Sequence, residues 1–441
     1  MRQRRTERLW KIMITISLCM IVKNEEDVLA RCLKSAQEIA DEIIIVDTGS
    51  TDRTKEIASR FTEKIYDYEW TDDFAAARNF AFSKATMQYM MWLDADDVIE
   101  DRGPFLKVKE ELDPSVSVVM MKYDVAFDDA GAPTFSYYRE RLVKRGEGFL
   151  WQGRVHEVIP PRGKIEYSDA AVSHKKLHPG DPDRNLRIFE KMLSGGEGLD
   201  PRQQFYYGRE LFYHERYDDA AAVFEAFLDS GQGWTENCID ACRLLSQCYR
   251  AAGQNNEPPL ADGNCKTETS SASGVKTSPP ENNQGTAELS QEPNGAKLPQ
   301  ADNSGKSNTQ SNPNQPAHNP NMVRESNDSK ALSALFRSFA YDEPRAETCC
   351  DIGKLFMERG QWEIAAWWYE RAAEAKRPDT GGGFVSLDCY GFIPYLQLCV
   401  CYDRLGRHDI AYQYHKKAEK IKPNDPAVLY NAEYFSKSVE I

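Results

Sequence analysis

The first part of the chain alternates short apolar runs with amphipathic segments. Three apolar runs bounded by turn residues predict buried strands: Ile14–Val22, Glu42–Asp47 and Tyr89–Leu93. Residues 28–39 place apolar side chains on one helical face and residues 74–85 are Ala-rich, so both segments predict helices. Alternating polarity over 116–146 predicts a β-hairpin. This order predicts an α/β domain in which helices cover both faces of a mostly parallel sheet.

From about Pro201 onward, helical patterns dominate, and a set of small residues recurs within them. Gly208 and Ala220 are twelve residues apart, and Phe224 follows four residues later. The same spacing occurs in two further sets, which are Gly353, Ala365 and Tyr369, and Cys399, Ala411 and His415. Small residues at these positions match the tetratricopeptide pattern, in which two packed helices need a close contact point. We therefore expect an all-α region of tetratricopeptide-like repeats.

A low-complexity segment, residues 254–330, interrupts the helical region. It contains no Phe, Tyr or Trp and is crowded with Asn, Ser, Pro, Gly and Gln. Because it buries too little apolar surface to offset its ordering entropy, we predict that it is disordered. It would lie between the two helices of a split repeat. The predicted organisation is thus an α/β domain over 12–195, repeats over 200–253 and 331–441, and the insert between them.

Composition and charge limit the partners and the cellular compartment that we expect. A formal net charge of −14 disfavours nucleic acid and anionic membranes as main partners. No stretch is long and apolar enough to predict a transmembrane segment, and no secretory signal is visible at the N-terminus. The 11 Cys form no CxxC pair, which favours a reducing cytoplasm. A homodimer is a hypothesis that the sequence does not test.

Four short motifs follow in order along the α/β region, three of them at predicted strand ends. They are Ile21–Glu26 (IVKNEE), Ile45–Asp52 (IVDTGSTD), Asp73–Asn79 (DFAAARN) and Leu93–Asp97 (LDADD). In open α/β sheets, ligands bind beyond the carboxyl ends of the strands. Carboxylates at that edge suit a hard divalent cation, which in turn binds a phosphate. Each motif alone is typical of turns and caps, but the ordered set predicts an enzyme acting on a nucleotide-linked substrate.

In this combination the motifs resemble those of family 2 glycosyltransferases of the GT-A fold. With the helical repeats, the chain is similar to bacterial glycosyltransferases of the sublancin S-glycosyltransferase type, which glycosylate a peptide cysteine. Trp151–Glu157 (WQGRVHE) and Val172–His174 (VSH) also resemble that group. The resemblance implies an inverting glycosyltransferase that uses a UDP-sugar and a divalent cation, Mn²⁺ or Mg²⁺.

The resemblance also implies roles for the donor-side residues. Asp47 would accept a hydrogen bond from the uracil imide, and Arg78 would reach the base or a phosphate. Asp94 would accept from the ribose hydroxyls. Asp96 would bind the cation that bridges the diphosphate, and His174 would complete that metal site. The first-strand loop would bring Asn24 and Glu26 to the nucleotide, although Glu26 also suits the first turn of a helix.

Glu157 and His156 are the candidates for the catalytic base. Inversion by direct displacement needs a base within hydrogen-bond reach of the attacking atom, and either residue can take a proton from a hydroxyl or a thiol. We weight Glu157 above His156. His178 competes with His174 for the metal, being four residues further on. Lys175, Lys176 and Arg184 are interpreted as an ordinary solvated face rather than as a diphosphate-binding loop.

The sequence leaves two chemical classes of acceptor open. Tetratricopeptide-like repeats form surfaces suited to peptides, so a peptide or protein side chain is the leading hypothesis, and the resemblance implies a Cys side chain. A cell-surface glycan is the alternative acceptor. A different alternative is an interaction protein in which the α/β domain is not catalytic. A nucleotidyltransferase is disfavoured because Ile21–Glu26 contains no glycine for a phosphate loop.

Overall fold

The structure of the chain is a computed structural model that describes residues 13–438 except 128–130, 132, 179, 255–319 and 378–384. The described residues divide into two compact units. The first, here the α/β unit, ends at Ile188, and the second, here the helical unit, begins at Phe189.

The α/β unit contains one eight-stranded sheet. Its strands are β1 (Ile16–Val22), β2 (Glu42–Asp47), β3 (Ile65–Asp67), β4 (Tyr89–Trp92), β5 (Asp97–Val98), β6 (Val118–Phe127), β7 (Pro133–Lys144) and β8 (Ile165–His174). The strand order is β3-β2-β1-β4-β7-β6-β8-β5. The first four strands in this order are parallel, β7 joins β4 and β6 in antiparallel pairs, and β5 pairs antiparallel with β8. The predicted α/β fold with a mostly parallel sheet is confirmed.

Helices pack on both faces of this sheet. They are α1 (Leu29–Ala36), α2 (Thr54–Ala58), α3 (Phe74–Ser83) and α4 (Gly103–Glu111). Helix α5 (Arg184–Ser194) follows β8, and the division between the two units falls within it. Leu18 and Met20 of β1 belong to one apolar cluster, whereas Cys19 belongs to another. Because successive side chains of a strand face opposite sides, a strand covered on both faces must be apolar throughout. This explains the unbroken apolar runs of the sequence.

Ser50 and Thr51 were the candidate caps for the helix that follows the Thr48–Ser50 turn, but the side chain that contacts the start of α2 is that of Asp52. The Asp52 carboxylate accepts from the Thr54 N–H at 2.9 Å and from the Glu26 N–H at 3.1 Å. The Ser50 hydroxyl instead accepts from the Asn24 N–H at 2.9 Å. The hydroxyl is therefore used to join two loops, and a carboxylate satisfies the first turn of the helix.

The helical unit is built from helical hairpins. Its helices are α6 (Pro201–Tyr213), α7 (Tyr217–Ser230), α8 (Thr235–Gln254), α9 (Pro320–Arg337), α10 (Ala346–Glu358), α11 (Trp362–Glu374), α12 (Phe392–Arg404), α13 (His408–Ile421) and α14 (Pro426–Ser438). A Cβ added at Gly208 would lie 2.7 Å from the Phe224 ring, and one at Gly353 would lie 3.0 Å from the Tyr369 ring. The recurring small residues are thus the points where paired helices touch, and the tetratricopeptide-like character is confirmed.

The split repeat pairs α8 with α9, but its second helix begins earlier than expected. Helix α9 starts at Pro320, so the assignment of 320–330 to a disordered insert was wrong. Asp328 accepts from Arg359 at 3.4 Å, and the Lys330 ammonium lies 5.6 Å from the centre of the Tyr249 ring. The polar composition of this segment concealed a helix whose middle makes charged contacts with its neighbours. Residues 255–319 of the predicted insert lie outside the described residues.

Cysteine state and helix hydrophobicity can both be read from the described residues. The ten cysteines in the described part of the chain are free and buried. Across the same residues, no helix combines the length and apolarity needed to cross a bilayer.

Candidate active site

Three predicted motifs meet at one edge of the sheet. Strands β2, β1 and β4 are neighbours and parallel, so the loops that follow them share the same edge. Asn24, after β1, accepts from the Thr51 N–H at 2.7 Å, and its own N–H donates to Ser50. Asn24 has φ of 55°, a left-handed conformation that Asn tolerates better than most residues. Asn24 therefore ties the loop after β1 to the loop after β2.

Asp47 ends β2 with one carboxylate oxygen engaged and the other unpaired. Oδ1 accepts from the Gly49 N–H at 3.0 Å and from the Ser50 N–H at 2.9 Å. Oδ2 is buried and has no hydrogen-bond partner within the part of the chain that the structure describes. Because an unsatisfied buried acceptor is costly, such an oxygen is a good position for a ligand N–H donor.

Arg78 of α3 joins the fourth motif to the acceptor-side candidate. Its Nη2 donates to Asp94 Oδ1 at 2.7 Å, and its Nε donates to Glu157 Oε1 at 2.6 Å. The guanidinium also lies over the Trp151 ring, 4.8 Å from its centre. Arg78 and Glu157 are buried, with 8% and 7% of their surface exposed. One planar cation therefore holds two carboxylates from different parts of the chain.

These ion pairs shift the pKa values of Arg78 and Asp94 in the directions that favour their charged forms. Burial opposes the charge of Arg78, but Asp94 and Glu157 raise its pKa above the usual value. Burial likewise opposes the charge of Asp94, but the neighbouring Arg78 lowers its pKa to about 2. Asp94 is therefore a carboxylate at physiological pH and can accept hydrogen bonds from a ligand.

Asp96, Asp97 and His174 form a cluster suited to a metal ion. Each offers one ligand atom, and these atoms lie within 4.8 Å of one another. His174 Nδ1 is 3.4 Å from Asp96 Oδ1 and 3.2 Å from Asp97 Oδ1. The cluster arises because β5 and β8 pair antiparallel, which places Asp97 directly opposite His174. Residues far apart in sequence are thus brought together by strand register.

Asp97, which the sequence left without a role, is the most enclosed member of the cluster. It is fully buried, and Oδ1 accepts from the Tyr123 hydroxyl at 2.9 Å. Oδ2 accepts from the Asp94 N–H at 3.0 Å and from Arg141 at 3.4 Å. With these donors already in place, Asp97 is better placed to hold the fourth motif and His174 in position than to face a ligand.

The charges around Asp96 are not balanced by the protein alone. Burial raises the pKa of Asp96 to about 6; His174 opposes this rise, and Asp94 and Asp97 add to it. Burial opposes protonation of His174, but its hydrogen bond to Asp97 and the charge of Asp96 raise its pKa to about 9. A divalent cation at this position would supply the missing positive charge.

Glu25, rather than its neighbour Glu26, is electrostatically connected to this cluster. The Glu26 carboxylate accepts from Arg53, from the backbone N–H at 3.1 Å and from Nε at 3.2 Å. Burial raises the pKa of Glu25 to about 7, with further contributions from Asp96 and Asp94. No local pattern distinguishes two adjacent glutamates in an irregular loop. The predicted nucleotide role of Glu26 remains a prediction.

His156 and Glu157 lie on a short loop beside a cleft. Residues 152 and 158 bracket the loop, because the Gln152 and Val158 backbones donate to each other at 2.8 and 3.0 Å. The cleft lies entirely within the α/β unit and is lined by Phe74, Arg78, Trp92, Asp94, Tyr123, Arg139, His156, Glu157, Arg184 and Asn185. The structure therefore brings both candidate bases to the same cleft as Asp94. Trp92, Tyr123 and Arg139 were not expected there, because they lie within apolar or alternating strands.

The basic residues after β8 separate into different environments. Lys175 lies over the Phe127 ring at 3.5 Å and pairs with Glu100 at 3.3 Å. Arg184 lines the cleft, with its guanidinium 4.6 Å from the Phe74 ring. His178 pairs with Asp27 at 3.1 Å on the surface and is not a member of the metal-type cluster. Only Arg184 of these residues borders the cleft, so the interpretation as a uniformly solvated face does not hold for it.

Comparison with known proteins agrees with this geometry. Residues 17–162 match the family model described as "Glycosyl transferase family 2". This part of the chain is a family 2 glycosyltransferase domain. It contains the first four motif regions and the loop that carries His156 and Glu157, whereas His174 lies beyond the matched residues.

Three relatives match parts of this chain. A TPR repeat-containing protein of Synechococcus elongatus is 35% identical over 33% of this chain and 36% of its own length. The SPbeta prophage-derived glycosyltransferase SunS of Bacillus subtilis is 27% identical over 55% of this chain and 60% of its own length. A lipopolysaccharide core biosynthesis glycosyltransferase, LpsC of Rhizobium meliloti, is 26% identical over 34% of this chain and 59% of its own length. The chain therefore spans less than two thirds of each relative.

Proposed function

We propose that this protein is an inverting glycosyltransferase that transfers a sugar from a UDP-sugar to an acceptor side chain. The observation that carries the proposal is the joint placement of Asp94, the Asp96–His174 pair and Glu157 around one edge of the sheet. Donor-binding carboxylates, a cation site and a candidate base are the groups that such a reaction needs. The family 2 match supports the same reaction class.

On the donor side, the unpaired Oδ2 of Asp47 would accept from the uracil imide N–H. Asp94 would accept from the ribose hydroxyls, since Arg78 keeps it ionised. Arg78 itself is committed to two carboxylates, which favours a supporting role over the direct nucleotide contact that we expected. Asn24 would shape the loops around the nucleotide rather than bind it with its side-chain oxygen.

The residues present fit a divalent cation. Asp96 and His174 would hold it, because an uncompensated carboxylate and an imidazole lie side by side and Asp97 orients the ring. When bound, Mn²⁺ or Mg²⁺ would offset the charge that develops on the leaving diphosphate. The mixed oxygen and nitrogen ligands agree better with Mn²⁺ than with Mg²⁺, which prefers oxygen.

On the acceptor side, Glu157 would take the proton from the attacking hydroxyl or thiol, as we weighted it above His156. The attacking atom would bond to the anomeric carbon while the bond to the diphosphate breaks, which inverts that carbon. A peptide or protein acceptor, including a cysteine, follows from the resemblance and the repeats. The similarity to LpsC keeps a glycan acceptor as the second candidate. We place the reaction in the cytoplasm, in agreement with the free cysteines.

The proposal is tested by a screen of UDP-glucose, UDP-galactose and UDP-N-acetylglucosamine, with and without MnCl₂, against cysteine-containing peptides and purified cell-surface glycans. We expect metal-dependent release of UDP and a mass increase of one hexose or N-acetylhexosamine on one acceptor class. Asp169→Ala serves as a matched control because this exposed carboxylate of β8 pairs with Lys122 at the surface. Absence of UDP release and of binding to any of the three donors would contradict the proposal.

A further inference from the structure

The candidate bases lie on the loop of residues 151–158. Helix α3 forms hydrogen bonds with both ends of this loop. The Asn79 amide nitrogen donates to the Trp151 carbonyl at 3.0 Å, and the Asn79 oxygen accepts from the Trp151 N–H at 2.8 Å. At the first turn of the helix, the Phe74 N–H donates to the Arg154 carbonyl at 2.8 Å. Arg78 then holds the far end through Glu157. The first two turns of one helix thus contact the start, middle and end of the loop.

The conformation of the 151–158 loop needs this external support. Gly153 has φ of 92°, and a Cβ at that position would lie 3.3 Å from the Val155 carbonyl oxygen. His156 has φ of 52°, a left-handed conformation that is uncommon for residues other than Gly. Such conformations persist only where surrounding contacts determine them. The loop is therefore held by its contacts with α3 together with its own Gln152–Val158 backbone pair.

Asn79 is the α3 residue whose contact with the loop can be tested most directly. Both polar ends of its side chain bond to the Trp151 backbone, so the side chain bridges α3 and the start of the loop. Arg78 is different because its Nη1 has no partner among the described residues and could still meet a ligand. The Trp151 ring adds apolar contact, lying 5.1 Å from Trp92 and 5.9 Å from Phe82 between ring centres.

We infer that Asn79 is a positioning residue that fixes the 151–158 loop on α3, so that Glu157 keeps a set distance from the donor carboxylate Asp94. Arg78 sets that distance directly, since one rigid guanidinium contacts both carboxylates. The third motif of the sequence, Asp73–Asn79, is on this account a support for the acceptor side. Asp73 starts the helix by accepting from the Ala76 N–H at 2.8 Å. The inference rests on the proposed function for the role of Glu157.

Amide hydrogen exchange on the full chain without substrate tests the loop contact separately from activity. Asn79→Ala should raise exchange of the amides in 151–158 roughly tenfold or more, because two hydrogen bonds to Trp151 are lost. Amides of β1 and β2 should keep their protection, which shows that the unit remains folded. Ser83→Ala is the matched control, since the hydroxyl of this exposed residue donates to the Phe80 carbonyl within α3 itself. Unchanged exchange over 151–158 in Asn79→Ala would overturn the inference.

Kinetics of the UDP-sugar that the wild-type enzyme uses best tests the positioning role. Asn79→Ala should lower kcat about 10–100-fold, because misplacement of a base by about 1 Å has effects of that size. The Kd for UDP with MnCl₂ and the KM for the donor should stay within about twofold, since no donor contact is lost. Raised loop exchange with an unchanged kcat would overturn the positioning role, as would an equal loss of UDP affinity and kcat. If the wild-type chain neither binds nor turns over any donor, the proposed function fails, while the exchange result still decides the loop contact.

Discussion

The proposed donor side and the proposed acceptor side of the cleft are held by different kinds of contact. On the donor side, Asp47, Asp94 and Asp96 follow directly from strands whose parallel pairing fixes their spacing. On the acceptor side, Glu157 lies on an irregular loop that depends on a helix more than 70 residues earlier in the chain, through contacts of Asn79 and Arg78. The sheet positions the donor groups by its own regularity, whereas the acceptor groups need side-chain support.

The largest expected effect is at the cation site. Asp96→Ala should lower metal-dependent release of UDP from the donor by about 10³-fold, because the cation supplies several kcal/mol of stabilisation to the leaving diphosphate. Turnover is measured over a range of MnCl₂ concentrations, with Asp169→Ala on the surface of the same unit as the control. Near-normal turnover in Asp96→Ala at saturating metal would break the assignment of the donor side.

A smaller effect separates the two candidate bases. Glu157→Gln keeps the shape of the side chain and an oxygen that can accept from Arg78, but it cannot take a proton. We expect kcat to fall about 10²-fold, with little change in the KM for the donor. His156→Ala should have the smaller effect of the two. The opposite ranking would transfer the role of base to His156.

The base-recognition contact gives an effect on affinity rather than on rate. In Asp47→Asn, the amide oxygen can keep the contacts to Gly49 and Ser50, which turns an N–H group toward the imide N–H of uracil. The Kd for UDP should rise about tenfold, while the Kd for CDP should change less, because N3 of cytosine is an acceptor. Calorimetric titration of both nucleotides measures the difference. An equal change for UDP and CDP would argue against a contact between Asp47 and the base.

The smallest expected effect on turnover is in the helical unit. Gly208→Ala would place a Cβ 2.7 Å from the Phe224 ring and should destabilise that unit by about 1–3 kcal/mol. Gly198→Ala is the control, since nothing lies within 4 Å of its added Cβ. Denaturant unfolding of the full chain gives the comparison, and UDP affinity should be unchanged. Equal stability of the two variants would refute the close helix contact.

Residues that follow regular strands and helices could be located from the sequence. Asp47, Asp94 and Asp96 could be located because they follow apolar runs, and Gly208 because its spacing recurs in other hairpins. The cluster of Asp97 with His174 depends on the register of β5 and β8, and the grip of Asn79 on Trp151 depends on the packing of a loop. Neither is encoded in a local pattern. The helix that begins at Pro320 was missed because its first turns are polar.

The central claim is that Asp96 and His174 hold a cation that would bind the diphosphate of UDP. Calorimetric titration of UDP into the full chain, with MnCl₂ and with EDTA, measures this without an acceptor. We predict that UDP binds with MnCl₂, at least tenfold more weakly with EDTA, and that this metal dependence disappears in Asp96→Ala and is reduced in His174→Ala. Equal UDP affinity with and without the metal in the wild-type chain would contradict the account.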